Sequence, residues 1–151
     1  MNDEIFIDTN VLFYAFDVAD EKKRAVAKKI IKEITDGKKS GVISNQVLAE
    51  LFSNLTKKAK NPLEKETAQA IINGFIDSTQ WKKVNYTEKT VSRAIESSLA
   101  ENMHFWDALI CETMLENKVY LIFTENTKDF RSKLLKVKNP FKGGKNGFGS
   151  V

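Results

Sequence analysis

Two kinds of hydrophobic spacing alternate along the chain. Ile5-Phe6-Ile7 is a continuous apolar run that ends abruptly in Asp8-Thr9-Asn10. Such a run is the signature of a strand buried on both faces of a parallel sheet. The apolar stretch Val11 to Phe16 then predicts the start of a helix. From Glu21 to Asp36, Ala27, Ile30, Ile31 and Ile34 recur at helical spacing among lysines, and Gly37 stands where a helix stops. Ser40 to Ile43 predicts a short strand. Ser44 or Asn45 then caps a helix whose apolar face is Leu48, Leu51, Phe52 and Leu55. Asn61-Pro62 breaks the chain before a helix from Glu64 to Ser78, and Trp81 to Val84 predicts an edge strand.

The second half repeats the pattern. Thr87 opens a helix carrying Val91, Ala94, Ile95 and Leu99, Asn102 stops it, and Phe105 to Glu116 predicts another with Asp107 in its first turn. Val119 to Thr124 is the strongest strand signal, again continuous and again ending in polar residues, from Glu125 to Asp129. Leu134 to Val137 predicts a last edge strand before Asn139-Pro140-Phe141. Strands alternating with helices imply a three-layer α/β domain. Residues 1–141 read as that domain and the glycine-rich residues 142–151 as a flexible tail.

Composition narrows the chemistry more than the fold. With 151 residues, 42% of them hydrophobic, the chain is long enough to bury a core without staples. One cysteine, Cys111, excludes an internal disulfide, and one histidine, His104, excludes a Cys/His zinc cluster within a single chain. No basic leader and no long apolar run occur, so a cytoplasmic, membrane-free protein is expected. A net charge of +4 admits a polyanionic partner without requiring one.

The informative residues are acids that lack a local structural role. Asp8 leaves a buried strand at the carboxyl end, where open α/β sheets bind ligands, although the position equally suits a helix cap. Glu50 has Gln46, Val47, Ser53 and Asn54 at the three- and four-residue spacings, so no cation on its own helix pairs with it. Asp107 sits in the most apolar helix opening, between Trp106 and Ala108-Leu109-Ile110, where a carboxylate is poorly solvated. It also suits the positive end of a helix dipole. Asp129 follows the strong late strand. Convergence of Asp8, Glu50, Asp107 and Asp129 on one end of the sheet would demand cations, because neighbouring carboxylates raise one another's pKa values. Mg2+, with Mn2+ as a substitute, suits oxygen donors without histidine and supports phosphodiester hydrolysis.

Four stretches then carry a resemblance. Ile7-Asp8-Thr9-Asn10-Val11, Ser44 to Glu50 ending in Leu48-Ala49-Glu50, Trp106-Asp107-Ala108-Leu109-Ile110, and Phe123-Thr124-Glu125-Asn126-Thr127-Lys128-Asp129-Phe130 resemble the acidic motifs of PIN-domain ribonucleases. Length and the closing Asn139-Pro140-Phe141 are similar to VapC-type toxins of prokaryotic toxin–antitoxin pairs. The resemblance implies a PIN-like three-layer sandwich with a parallel sheet ordered 3-2-1-4-5. It implies Asp8, Glu50 and Asp107 as catalytic metal ligands with a fourth acid from the loop after Thr124, and Thr9, Asn10, Ser44, Thr124 and Asn126 as orienting them or the substrate. It further implies an RNA substrate, endonucleolytic cleavage, a homodimer and an antitoxin that covers the site. One departure stands out: many relatives carry the fourth acid two residues after the threonine, where this chain has Asn126. Asp129, one helical turn further on, is expected to take that role, with Glu125 facing solvent.

Other residues weigh less. His104 reads as a helix-start or core histidine, Cys111 as a small buried hydrophobe, and Phe13, Tyr14 and Phe16 as core or dimer contacts. Lys57, Lys58, Lys60, Lys82, Lys83 and the basic C-terminal stretch are candidates for tracking a phosphate backbone. Two other functions compete. An inactive PIN-like module that binds RNA or protein has no use for acids concentrated against RNA. A phosphotransferase of the haloacid dehalogenase kind wants a second aspartate two residues after the first, where Asn10 stands.

Overall fold

In the computed structural model, residues 3–142 are described. Five strands form one parallel sheet in the order β3-β2-β1-β4-β5: β1 (Glu4–Ile7), β2 (Ser40–Ser44), β3 (Trp81–Val84), β4 (Leu121–Phe123) and β5 (Lys136–Lys138). The central strand is β1, whose Ile5, Phe6 and Ile7 are all buried, as its unbroken apolar run requires. Phe6 pairs with Val42 on one side and Ile122 on the other, so three apolar runs lie in register at the middle of the core.

The helices fall into two groups set by connectivity, one before β3 and one after it. The helices α1 (Thr9–Tyr14), α2 (Glu21–Thr35), α3 (Asn45–Lys57) and α4 (Lys65–Asp77) serve the β1-to-β2 and β2-to-β3 crossovers and pack on one another. α5 (Glu88–Ala100) and α6 (Phe105–Glu116) pack together on the path from β3 back across to β4. Right-handed crossovers in opposite directions from β1 put these groups on opposite faces, which completes the three layers. Because the chain reverses direction beside β1, the carboxyl ends of β1 and β4 border the crevice where such sheets bind ligands.

Local signals account for the element ends. Asp20, Ser44 and Thr87 cap α2, α3 and α5. Gly37 has a φ of 78° just past α2, and Asn102, with a φ of 51°, separates α5 from α6. Gly41 is required for a different reason: a Cβ there would lie 2.7 Å from Ile34 and 3.1 Å from the Trp81 ring. β3 and β5 are the edges, as expected. Residues 143–151, which make up almost all of the expected flexible tail, lie outside the described residues. Among the described residues no helix is long and apolar enough to cross a membrane.

Candidate active site

Asp8 leaves β1 into the crevice and does two things at once. It is the N-cap of α1, with Oδ1 accepting from the Thr9 backbone N–H at 2.8 Å. Its Oδ2 accepts from the Thr124 hydroxyl at 2.7 Å and from the Asn10 amide at 3.1 Å. The backbone matches: Asp8 N–H donates to Phe123 O at 3.0 Å, which extends the β1–β4 pairing to the site. Asp8 as a residue is only 7% exposed. Burial pushes its pKa up to about 6; the bonds from Thr124 and Thr9 pull it down, and the charges of Glu50 and Asp107 push it up again.

Glu50 reaches the same place from α3. Its Oε1 accepts from the Thr9 hydroxyl at 2.9 Å, so Asp8 and Glu50 are both held by Thr9, one through its N–H and one through its side chain. The Gln46 amide donates to Glu50 Oε2 at 3.5 Å and to Trp106 O at 3.3 Å, which ties α3 to the start of α6. Asp107 is half-buried in the first turn of α6. Burial, with the charges of Asp129 and Glu50 and against that of His104, raises its pKa to about 6. Asp8, Glu50 and Asp107 line one cavity of about 350 Å³, together with Asn10, Asn126 and Lys58.

The expected residues divide accordingly. Thr9, Asn10 and Thr124 hold the acids, and Asn126 lines the cavity while its backbone N–H donates to the Thr124 hydroxyl at 3.1 Å. Ser44 is buried and caps α3, with Oγ accepting from Val47 N–H at 3.2 Å, and it does not line the cavity. Asp129 ends a 3-10 turn (Thr127–Asp129), is exposed, and approaches closely enough to raise Asp107 without lining the cavity. The expectation that Glu125 faces solvent is corrected. Its carboxylate accepts from Tyr14 Oη at 2.7 Å and forms an ion pair with Lys23, whose ammonium also lies 4.8 Å from the Tyr14 ring centroid. Two residues of α1 and α2 that are distant in sequence supply these partners, and no local pattern announces them.

Gln46 is the contributor that spacing undervalued. It stands four residues before Glu50 and carries no charge, yet its amide suffices to hold a carboxylate. Lys82 and Lys83 have structural partners instead of phosphates: Lys82 pairs with Glu4 at 3.3 Å, and Lys83 donates to the carbonyls of Phe75 and Ser78. Cys111 is buried with its thiol pushed up to about 12 by burial, so it packs and does not react.

Among the described residues, no three Asp, Glu, His or Cys side chains are gathered closely enough to hold a metal ion as they stand. The donor set nevertheless fits a hard divalent cation. Three carboxylates face one cavity, two of them with raised pKa values, and no Lys or Arg forms an ion pair with any of them among the described residues. Oxygen donors carrying uncompensated charge are what Mg2+ or Mn2+ selects.

The PIN domain family profile matches residues 5–133. Nothing among curated protein sequences matches. Among solved structures, a toxin–antitoxin complex from Klebsiella pneumoniae is similar at 19% identity and a TM-score of 0.65, covering 92% of this chain and 99% of that one. VapBC2 from Rickettsia felis, bound to a promoter DNA fragment, is similar at 20% identity and 0.64, covering 90% and 98%. Mycobacterium tuberculosis VapC20, a toxin that cleaves the sarcin–ricin loop, is similar at 19% identity and 0.61, covering 78% and 86%. These likenesses agree with the observed strand order, and the profile spans all the acids from Asp8 to Asp129. A buried aspartate at the β1/β4 switch point, joined by acids from α3 and α6 within so long a match, makes the chain a member of the PIN-domain family.

Proposed function

We propose that the chain is a divalent-cation-dependent endoribonuclease that hydrolyses RNA phosphodiester bonds, and that it is the toxin of a toxin–antitoxin pair. The observation that carries this reading is the convergence of Asp8, Glu50 and Asp107 on one cavity, where no lysine or arginine forms an ion pair with any of them among the described residues. Toxin–antitoxin proteins among the similar structures support the biological role.

Asp8, Glu50 and Asp107 would hold Mg2+, or Mn2+ in its place, with Asp129 acting beside Asp107. When bound, the ion neutralises the phosphate, lowers the pKa of water and stabilises the leaving oxygen. The chain's own work is to hold the acids. Thr9 N–H, Thr124 and Asn10 fix both oxygens of Asp8, and Thr9 Oγ1 and Gln46 fix Glu50. Fixed donors need no rearrangement as the reaction proceeds, which is the general advantage of a preorganised site. Lys58, on the rim of the same cavity, is placed to meet a substrate phosphate, and the net charge of +4 favours approach of RNA. The same reading gives the chain a cognate antitoxin that covers the acids, a homodimeric state and a cytoplasmic location.

The test is cleavage of a panel of single-stranded and structured RNAs with Mg2+, Mn2+ or chelator, comparing the unmodified protein with Asp8→Asn. Cation-dependent internal cuts that disappear in a folded Asp8→Asn protein are expected. RNA binding that survives chelation, without cleavage of any RNA, would instead support the inactive binding module.

A further inference from the structure

Beside the acidic cavity lies a second one of about 550 Å³, within the size range of small-molecule sites. Glu50 lines both, so the two adjoin at one of the acids proposed to hold the cation. The second cavity is built by three segments: the start of α3 with Asn45 and Gln46, the residues after β3 with Asn85 and Tyr86, and Trp106 at the start of α6. Trp106 is 54% exposed, two residues before the buried run that begins at Ala108. Its position is not loose. The Phe105 ring meets it edge-on at 5.3 Å, and Gln46, which also holds Glu50, donates to its carbonyl.

A single exposed aromatic side chain is ordinary on a protein surface. This one lines a cavity that Glu50 shares with the acidic one, and the remaining lining supplies a second ring, Tyr86, and the side-chain amides of Asn45 and Asn85. No lysine or arginine lines it, and Glu50 does. That combination repels a phosphate and accepts a neutral, planar group whose edge carries both donors and acceptors, since each amide offers both. In RNA that group is the base, which single strands present to aromatic side chains by stacking. A nucleotide whose phosphate lies in the acidic cavity has its base within reach of the adjoining one.

We propose that this second cavity is a nucleobase subsite, in which Trp106 stacks on a base next to the scissile phosphate while the amides of Asn45 and Asn85 read its edge. The inference rests on the RNA-cleavage reading above and extends it to how the strand is seated.

The experiment uses the cleavage-deficient Asp8→Asn protein and a short single-stranded RNA that the unmodified protein cuts. Binding should quench tryptophan fluorescence. Of the two tryptophans, Trp81 is 2% exposed, so most of the quenching should vanish in Trp106→Phe. Trp106→Ala should weaken RNA binding about tenfold or more, the usual scale for losing one stacked base. The same RNA made abasic beside the cut should bind the unsubstituted Trp106 protein about as weakly, and Asn85→Ala, at an exposed position, should give a smaller loss. Circular dichroism establishes that each variant is folded. Unchanged RNA affinity in Trp106→Ala and Asn85→Ala, or quenching that persists in Trp106→Phe, overturns the subsite and leaves the cavity to a protein segment. Cation-dependent cleavage alongside those negative results leaves the nuclease reading standing. Absence of both binding and cleavage across the RNA panel overturns the two together.

Discussion

Asp8 and Glu125 stand one asparagine apart and solve the problem of a buried carboxylate in opposite ways. Asn10 bridges them: its amide donates to Asp8 Oδ2 at 3.1 Å and its oxygen accepts from Glu125 N–H at 3.1 Å. Glu125 has a cation and a hydroxyl of its own chain, Lys23 and Tyr14, and the ammonium is further covered by the Tyr14 and Phe141 rings. Both partners are held by the pairing: burial and then Glu125 raise the Tyr14 pKa, and Glu125 raises that of Lys23. Asp8 has only neutral donors, and Glu50 and Asp107 add charge of the same sign. The closed cluster anchors the loop after β4, and the open one is where the proposed cation would be held. Uncompensated charge, more than the presence of an acid, is what separates the proposed site from a structural cluster.

The largest effect that would break this contrast is on catalysis. Asp8→Asn changes charge with little change in volume, and should lower cleavage by more than about a hundredfold, since outer partners of metal ligands alone are commonly worth up to that. Glu125→Gln should retain most activity. Single-turnover cleavage at saturating Mg2+ measures both, and equal losses would erase the distinction. A smaller effect concerns the fourth acid. Asp129→Ala should shift the Mg2+ midpoint of cleavage upward by about tenfold, and Glu125→Ala should shift it less, because Glu125 is committed to Lys23. The reverse ranking in a metal titration would assign the fourth acid to Glu125.

Stability reads the same contrast from the other side. Lys23→Met leaves Glu125 half-buried without its cation and should cost about 1 kcal/mol of folding stability, as for a partly exposed pair, measured by denaturant unfolding. The smallest effect is expected for Asp107→Asn in chelator. The folded-state pKa values of Asp8 and Asp107 are raised from 3.8 to about 6. The native protein therefore binds protons that the unfolded chain releases, and metal-free stability falls as pH rises from about 4 to about 6. Asp107→Asn removes part of that fall, a gain of less than about 1 kcal/mol above pH 6 once solvent screening at a half-buried group is allowed for. Thermal melts on either side of pH 6 test this, and a variant that is less stable than the parent at high pH would contradict it.

Pattern and element agree best where burial is complete. β1 lies where its apolar run predicts, one residue longer at its start. β4 is shorter than the Val119 to Thr124 run, because Val119 is buried before the strand begins and Tyr120 is exposed. β5 lies two residues later than Leu134 because that leucine is 70% exposed and a short edge strand carries little periodic signal. α1 begins at Thr9 because Asp8 caps it, so polar residues expected to precede the helix belong to its first turn.

The order of buried strands and amphipathic helices, and the acids at their ends, followed from sequence alone, because hydrophobic periodicity and capping are local consequences of burial and backbone geometry. The parallel order 3-2-1-4-5 was implied by the family resemblance, not by spacing. What only the tertiary structure decided is which polar groups meet: Thr9 holding Glu50 across 41 positions, Thr124 holding Asp8 across 116, and Lys23 meeting Glu125 across 102. Side-chain partnership depends on the packing of distant elements and leaves no periodic trace. That is why Glu125, an acid like any other in sequence, proved to be an anchor, while the acids around Asp8 remained open to a cation.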